Sequence, residues 1–227
     1  LMSFFNDEKN KIFSTINLKL IKLKIKNEIN INKKIKTGKS EIILNKSKQF
    51  LEYEMEKNFI KFYIFDKIDQ PRLKFNGNFN LRPFYASLNG DLKEIKLKHL
   101  FGPNTIVTQL LKTELLNNTN LDFSLNIDAN KIYNNSNFIN VNLKSKIKEG
   151  LIDADNTKFE WKDFANFELS ESLIFIRNGE LILDGKLRIK INKYDKIYQF
   201  LLTPKKYRNK IAEIDFNFTY NFDQKIA

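Results

Sequence analysis

The chain has 227 residues, 42% of them apolar, with 21 Phe, 7 Gly and 4 Pro, which supplies material for a sizeable core and excludes disordered, collagen-like and proline-rich classes. Cysteine is absent, excluding disulfides, thiolate-held zinc and a thiol nucleophile. The net charge of +12 rests on Lys, with Arg only at positions 72, 82, 177, 188 and 208; Arg is the residue of bidentate phosphate and guanine recognition, so no specific nucleic-acid partner is expected.

Alternation of apolar and polar residues, the period of a half-buried strand, runs through the chain. In "INLKLIKLKIKNEINI", Ile16, Leu18 and Leu20 keep one phase and Ile21, Leu23 and Ile25 the other. A bulge or bend at Leu20–Ile21 is expected, because a one-residue shift flips the buried face. Leu51, Tyr53 and Met55 alternate with Glu, Ile60, Phe62 and Ile64 follow, and Leu73, Phe75, Phe79 and Leu81 alternate with Lys and Asn. Turns are expected at Asn76–Gly77, Asn89–Gly90, Gly150, Asn178–Gly179 and Asp184–Gly185. On that basis "SLIFIRNGELILDGKLRIKIN" reads as three short antiparallel strands, the last burying Leu187, Ile189 and Ile191.

One segment breaks the pattern. In "GPNTIVTQLLKTELLN", Ile106, Val107, Leu110, Leu111 and Leu115 share one helical face, which predicts a helix over 104–117. Beyond it, Leu121, Phe123, Leu125 and Ile127 alternate with polar residues, as do Ile139, Val141 and Leu143, then Phe216 and Phe218 in "IDFNFTYNF". The odd residues of 121–127 and the even residues of 214–222 are expected to line one continuous apolar surface. The expected organisation is a β-rich part over 1–102, a helical segment over 103–120 and an antiparallel β part over 121–227.

No arrangement for catalysis is legible. His99 is the sole histidine, there is no Gly-x-Ser-x-Gly elbow and no Gly-rich phosphate loop. Asp153, Asp155 and Thr157 start like a calcium loop, but Lys158 stands where Gly is needed and Phe164 where Glu is needed. No enzyme activity, metal or cofactor is expected. No apolar run is long enough for a membrane-spanning helix. Leu1 ahead of Met2 reads as a cut from a longer chain, with room for a signal or anchor upstream.

Strands this one-sided admit two arrangements: a sandwich whose faces cover each other, or a curved sheet whose apolar face forms a groove for something else to fill. A fragment of an outer-membrane barrel, or a closed structural β-domain without ligand, are the alternative readings. The stretches "NLRPFYASLNGDLKEIKLKHLF", "LDFSLNIDANKI", "INVNLKSKIKEGLIDADNTKF" and "GELILDGKLRIKINKYDKIYQFL" with "PKKYRNKIAEIDFNF" together resemble the AsmA-like family of periplasmic β-groove proteins over about 73–222. The last pair resembles that family's closing hairpins.

The resemblance implies a mainly β fold, a long curved antiparallel sheet forming an apolar groove, with the chain a fragment of one larger protein. It implies phospholipid or other acyl-lipid partners, a role in lipid transport or homeostasis between inner and outer membranes, and a periplasmic location anchored to the inner membrane. The groove lining is then expected at Leu121, Phe123, Leu125, Ile127, Ile139, Val141, Leu143, Phe216 and Phe218.

Overall fold

The computed structural model describes residues 2–8, 10–18, 23–31, 34–44, 47–67, 69, 71–97, 119–148 and 151–226. The fold is mainly β, with antiparallel strand ladders over 2–81 and over 122–221. Two compact units divide at Leu1–Asp91 and Leu92–Ala227, ahead of the boundary expected at 102. The expected helix over 104–117, His99 and the Gly150 turn lie outside the described residues.

Unit 1 is a meander in which each strand pairs with the next: β1 (Met2–Glu8), β2 (Lys11–Leu18), β3 (Leu23–Ile31), β4 (Lys36–Leu44), β5 (Ser47–Glu56), β6 (Phe59–Phe65), β7 (Leu73–Leu81) and β8 (Phe84–Leu92). The phase change expected at Leu20–Ile21 lies outside the described residues; on either side of it the two phases belong to two antiparallel strands, with Leu18 registered against Leu23. Gly77 and Gly90 are not turn residues; they lie inside β7 and β8.

Unit 2 contains β9 (Asp122–Ile132), β10 (Asn135–Lys148), β11 (Leu151–Asp153), β12 (Lys158–Trp161), β13 (Ala165–Arg177), β14 (Glu180–Ile191) and β15 (Glu213–Asn221). β11 and β12 each bridge β10 and β13. The Asn178–Gly179 turn forms as expected, with positive φ at both residues (+54° and +78°). Asp184–Gly185 does not turn: it sits inside β14, so the expected three short strands are two long ones. A Cβ on Gly185 would come within 3.0 Å of the Ser172 Cβ, so this Gly serves close strand approach rather than a turn.

The described helix longer than a single turn is α1 (Tyr194–Phe200), between β14 and β15. It falls where only hairpins were expected. None of its residues is buried; Tyr194, Ile197 and Tyr198 share its half-buried face, and two turns are too short a run to stand out from sequence.

Candidate functional site

Directly opposed residues of an antiparallel pair share a face, so the registers of unit 1 sort its side chains into rows. One row runs Ile12–Ile29–Gly38–Tyr53–Phe62–Gly77 across β2 to β7. On the same face lie Ile16–Ile25–Ile42 and Met55–Ile60–Phe79. The two glycines explain the middle row. A Cβ on Gly38 would lie 2.1 Å from the Tyr53 ring, and one on Gly77 2.7 Å from the Phe62 ring. Each ring therefore lies flat over a Gly on the neighbouring strand.

A polar row interrupts this face. Ser40 Oγ donates to Asn27 Oδ1 at 2.7 Å, Tyr53 OH donates to the same oxygen at 3.3 Å, and Asn27 Nδ2 donates to Ser14 Oγ at 3.5 Å. Satisfying these groups against each other removes the penalty for placing them among apolar neighbours.

The opposite face of unit 1 carries ion pairs: Lys39–Glu52 at 3.1 Å, Lys48–Glu41 at 2.9 Å and Lys11–Glu28 at 3.7 Å. The Lys48 hydrogen bond holds the Glu41 carboxyl below its ordinary value. The same face also bears aromatic rings, with Phe50 and Phe65 stacked at 5.4 Å. A depression of about 570 Å³ is lined by Phe13, Lys26, Glu28, Lys39, Glu41, Glu52, Phe50 and Phe65 among others. It opens over charged side chains rather than over the apolar rows.

In unit 2 one row runs Phe123–Ile147–Ile152–Ile174–Leu183–Tyr220. Ile147, Ile152, Ala154, Leu169, Ile174 and Leu181 form a buried cluster, and Leu121, Phe123, Phe218 and Phe222 pack against it half-buried. Residues of β9 and β15 thus reach one apolar cluster. Ile127 and Val141 are buried, Leu125 and Leu143 half-buried, and Leu143 stands opposite Ile127. Phe216 is 42% exposed and pairs with Leu187, which pairs with Leu169.

Ile139 stands opposite Lys131 in the same β9 register as Val141 and Leu143, and opposite Glu160 of β12. Asn140 beside it has φ +49°, where β10 shifts register against β12. Phe138 faces Trp161 and joins a ring cluster, 5.6 Å from Phe159 and 6.1 Å from Phe167, with Phe159 and Phe167 stacked at 4.6 Å. Sequence reasoning missed this cluster and the glycine–aromatic row of unit 1. The alternation of each strand carried the faces, but pairing partners far apart in the chain have no local signal.

The polar centre nearest to a reactive arrangement is Asp153–Asp155–Ser172. Ser172 donates to Asp155 Oδ1 from its backbone N–H and its hydroxyl, both at 2.7 Å, and the Ala154 N–H donates to Ser172 Oγ at 3.2 Å. Burial, then the charge of Asp155, raises the Asp153 carboxyl above its ordinary value. These bonds tie β11 to the irregular turn of β13 at Glu171, where φ is +50°. The Ser172 hydroxyl is thus bonded to a carboxylate, but at 2% exposure it is closed off from solvent. Among the described residues no three His, Cys, Asp or Glu side chains gather to hold a metal.

With both units' geometry in view, no family model, no curated protein and no solved structure matches the chain.

Proposed function

We propose that the chain is a non-enzymatic lipid-handling β-domain of the bacterial envelope, in which acyl chains lie along apolar strand faces and head groups stay in solvent near rim lysines. The observation that carries this reading is the row Ile12–Ile29–Gly38–Tyr53–Phe62–Gly77: it crosses β2 to β7, and its large side chains remain half-exposed. A large apolar side chain left in water forgoes about 1.5–3 kcal/mol. Acyl chains supply area without requiring hydrogen bonds, which suits a face whose polar groups are already paired. The resemblance to AsmA-like proteins over 73–222 supports the same reading and a periplasmic location.

A second reading, a closed structural β-domain without ligand, draws on unit 2, where Ile147 and Leu181 are only 4% and 1% exposed. Mass spectrometry of lipids carried by gently purified protein separates the two. Co-purified phospholipid is expected, reduced by Phe123→Asp and Phe216→Asp and unchanged by Asn217→Asp, which pairs with Lys186 on the opposite face. Phe216 is the cleaner variant, because its exposure spares the fold the cost of a buried charge. If wild-type protein carries no lipid and admits no hydrophobic probe, the closed-domain reading stands.

A further inference from the structure

Between β14 and β15 the chain leaves the sheet, forms α1 and returns through a 3₁₀ turn at Lys205–Tyr207. The end of α1 closes as a Schellman motif. The Leu202 N–H donates to the Gln199 carbonyl at 3.2 Å, and the Thr203 N–H donates to the Tyr198 carbonyl at 2.9 Å. The left-handed residue of this motif is usually Gly. Here it is Leu202, with φ +54° and 85% of its surface exposed. A bulky side chain is disfavoured at that φ, and this one gains nothing from packing within the chain. Leu201 and Phe200 beside it are exposed as well.

The excursion is braced rather than loose. One side of the Phe200 ring rests on Trp161, centroids 4.8 Å apart. Lys193 pairs with Asp163. Tyr198 OH donates to the Asn209 carbonyl at 2.7 Å, and Arg208 Nε to the Thr203 carbonyl at 2.8 Å. The leucines are therefore held outward on a fixed loop. The segment 193–210 carries Lys193, Lys196, Lys205, Lys206, Arg208 and Lys210 against one acid, Asp195; with Lys193 taken up by Asp163, the other five supply its positive charge.

We propose that this excursion docks onto the surface of an anionic lipid bilayer. Leu201 and Leu202 enter the boundary between head groups and acyl chains, and the basic side chains lie against the anionic head groups. Apolar insertion and basic attraction add at such a surface. A nucleic acid would answer the charge but leave the leucines without a partner. The inference is independent of acyl-chain binding by the strand faces, since a protein can adsorb to vesicles without extracting lipid.

Co-sedimentation of the full chain with phosphatidylcholine vesicles, with and without phosphatidylglycerol, tests it. Adsorption is expected only with phosphatidylglycerol and is expected to weaken as salt rises. Lys205→Glu together with Lys206→Glu should weaken it by roughly tenfold or more. Leu202→Gly is the sharper variant: Gly suits the left-handed conformation, so the melting temperature should hold or rise while adsorption falls roughly tenfold. Unchanged adsorption of Leu202→Gly, equal adsorption to vesicles lacking phosphatidylglycerol, or a lowered melting temperature in that variant overturns the proposal. Single-strand DNA binding that survives Leu202→Gly, without vesicle adsorption, reassigns the patch to nucleic acid.

Discussion

Unit 1 and unit 2 are built from the same alternating strands and differ in what becomes of their apolar faces. In unit 1 the rows stay half-exposed, and the buried apolar side chain among its described residues is Ile60. In unit 2 a row of the same kind sinks into the cluster of Ile147, Ile152, Leu169, Ile174 and Leu181. The difference lies in what the irregularities do. Unit 2 breaks its ladders at Asn140 and Glu171, both with positive φ, and inserts the short strands β11 and β12 between β10 and β13. Bulges increase local twist and bend a strand. The ladders from β2 to β7 in unit 1 run without a register shift, and Ile12, Ile29, Tyr53 and Phe62 along them all stay half-exposed.

The largest effect is expected from truncating the buried row. Ile147→Ala or Leu181→Ala should cost about 2–5 kcal/mol in denaturant unfolding, the range for fully buried aliphatic positions. Ile29→Ala in unit 1 should cost a fraction of that, because Ile29 is half-buried. Equal losses at the two sites would break the contrast between the units.

The glycines of unit 1 give an intermediate effect. A Cβ on Gly77 would lie 2.2 Å from the Ser87 backbone oxygen, whereas on Gly38 the nearest atoms are the far end of the Tyr53 ring. Backbone cannot step aside as a ring can. Gly77→Ala should therefore destabilise by about 1–3 kcal/mol and Gly38→Ala by less, both read from thermal melts. The reverse order would show that Tyr53 is fixed by its bond to Asn27 more firmly than β8 is held to β7.

Asp153 gives the smallest effect. Its carboxyl is raised above the ordinary value by burial and by Asp155, so the folded chain holds this proton more tightly than the unfolded chain. Stability from this group is present below the ordinary carboxylate value and is lost as pH rises through the raised one. Asp153→Asn should melt slightly higher than wild type at neutral pH and no differently in acid. A variant that melts lower at neutral pH would mean that the charge is used by the Ala154–Ser172 turn.

Strand identity was legible because each strand states its own period. The alternations at Leu51–Met55 and Ile60–Ile64 fall inside strands, and that of Leu121–Ile127 starts one residue ahead of β9. Local rules failed where a residue answers to a distant one. Gly77 and Gly185 looked like turn residues, but a ring and a backbone oxygen in one case, and Ser172 in the other, demand the missing Cβ. The pairing of β2 with β3 was hidden because "LKLIKLK" carries no turn residue. Ile139 kept the right spacing, but its charged partners Lys131 and Glu160 follow from strand register and have no local signal. The lining set itself was readable only as far as alternation goes; the convergence of Phe123 and Phe218 on one cluster depends on the order of strands between them.

The meander of unit 1 has a further consequence for how the chain is made. Each strand finds its partner immediately before or after it in sequence, so forming a ladder closes only a short loop. The unit can zip from any nucleated hairpin outward, one strand at a time, in the manner of a repeat array. The same grammar lets a sheet be lengthened by inserting one more alternating hairpin, with no distant contact to renegotiate.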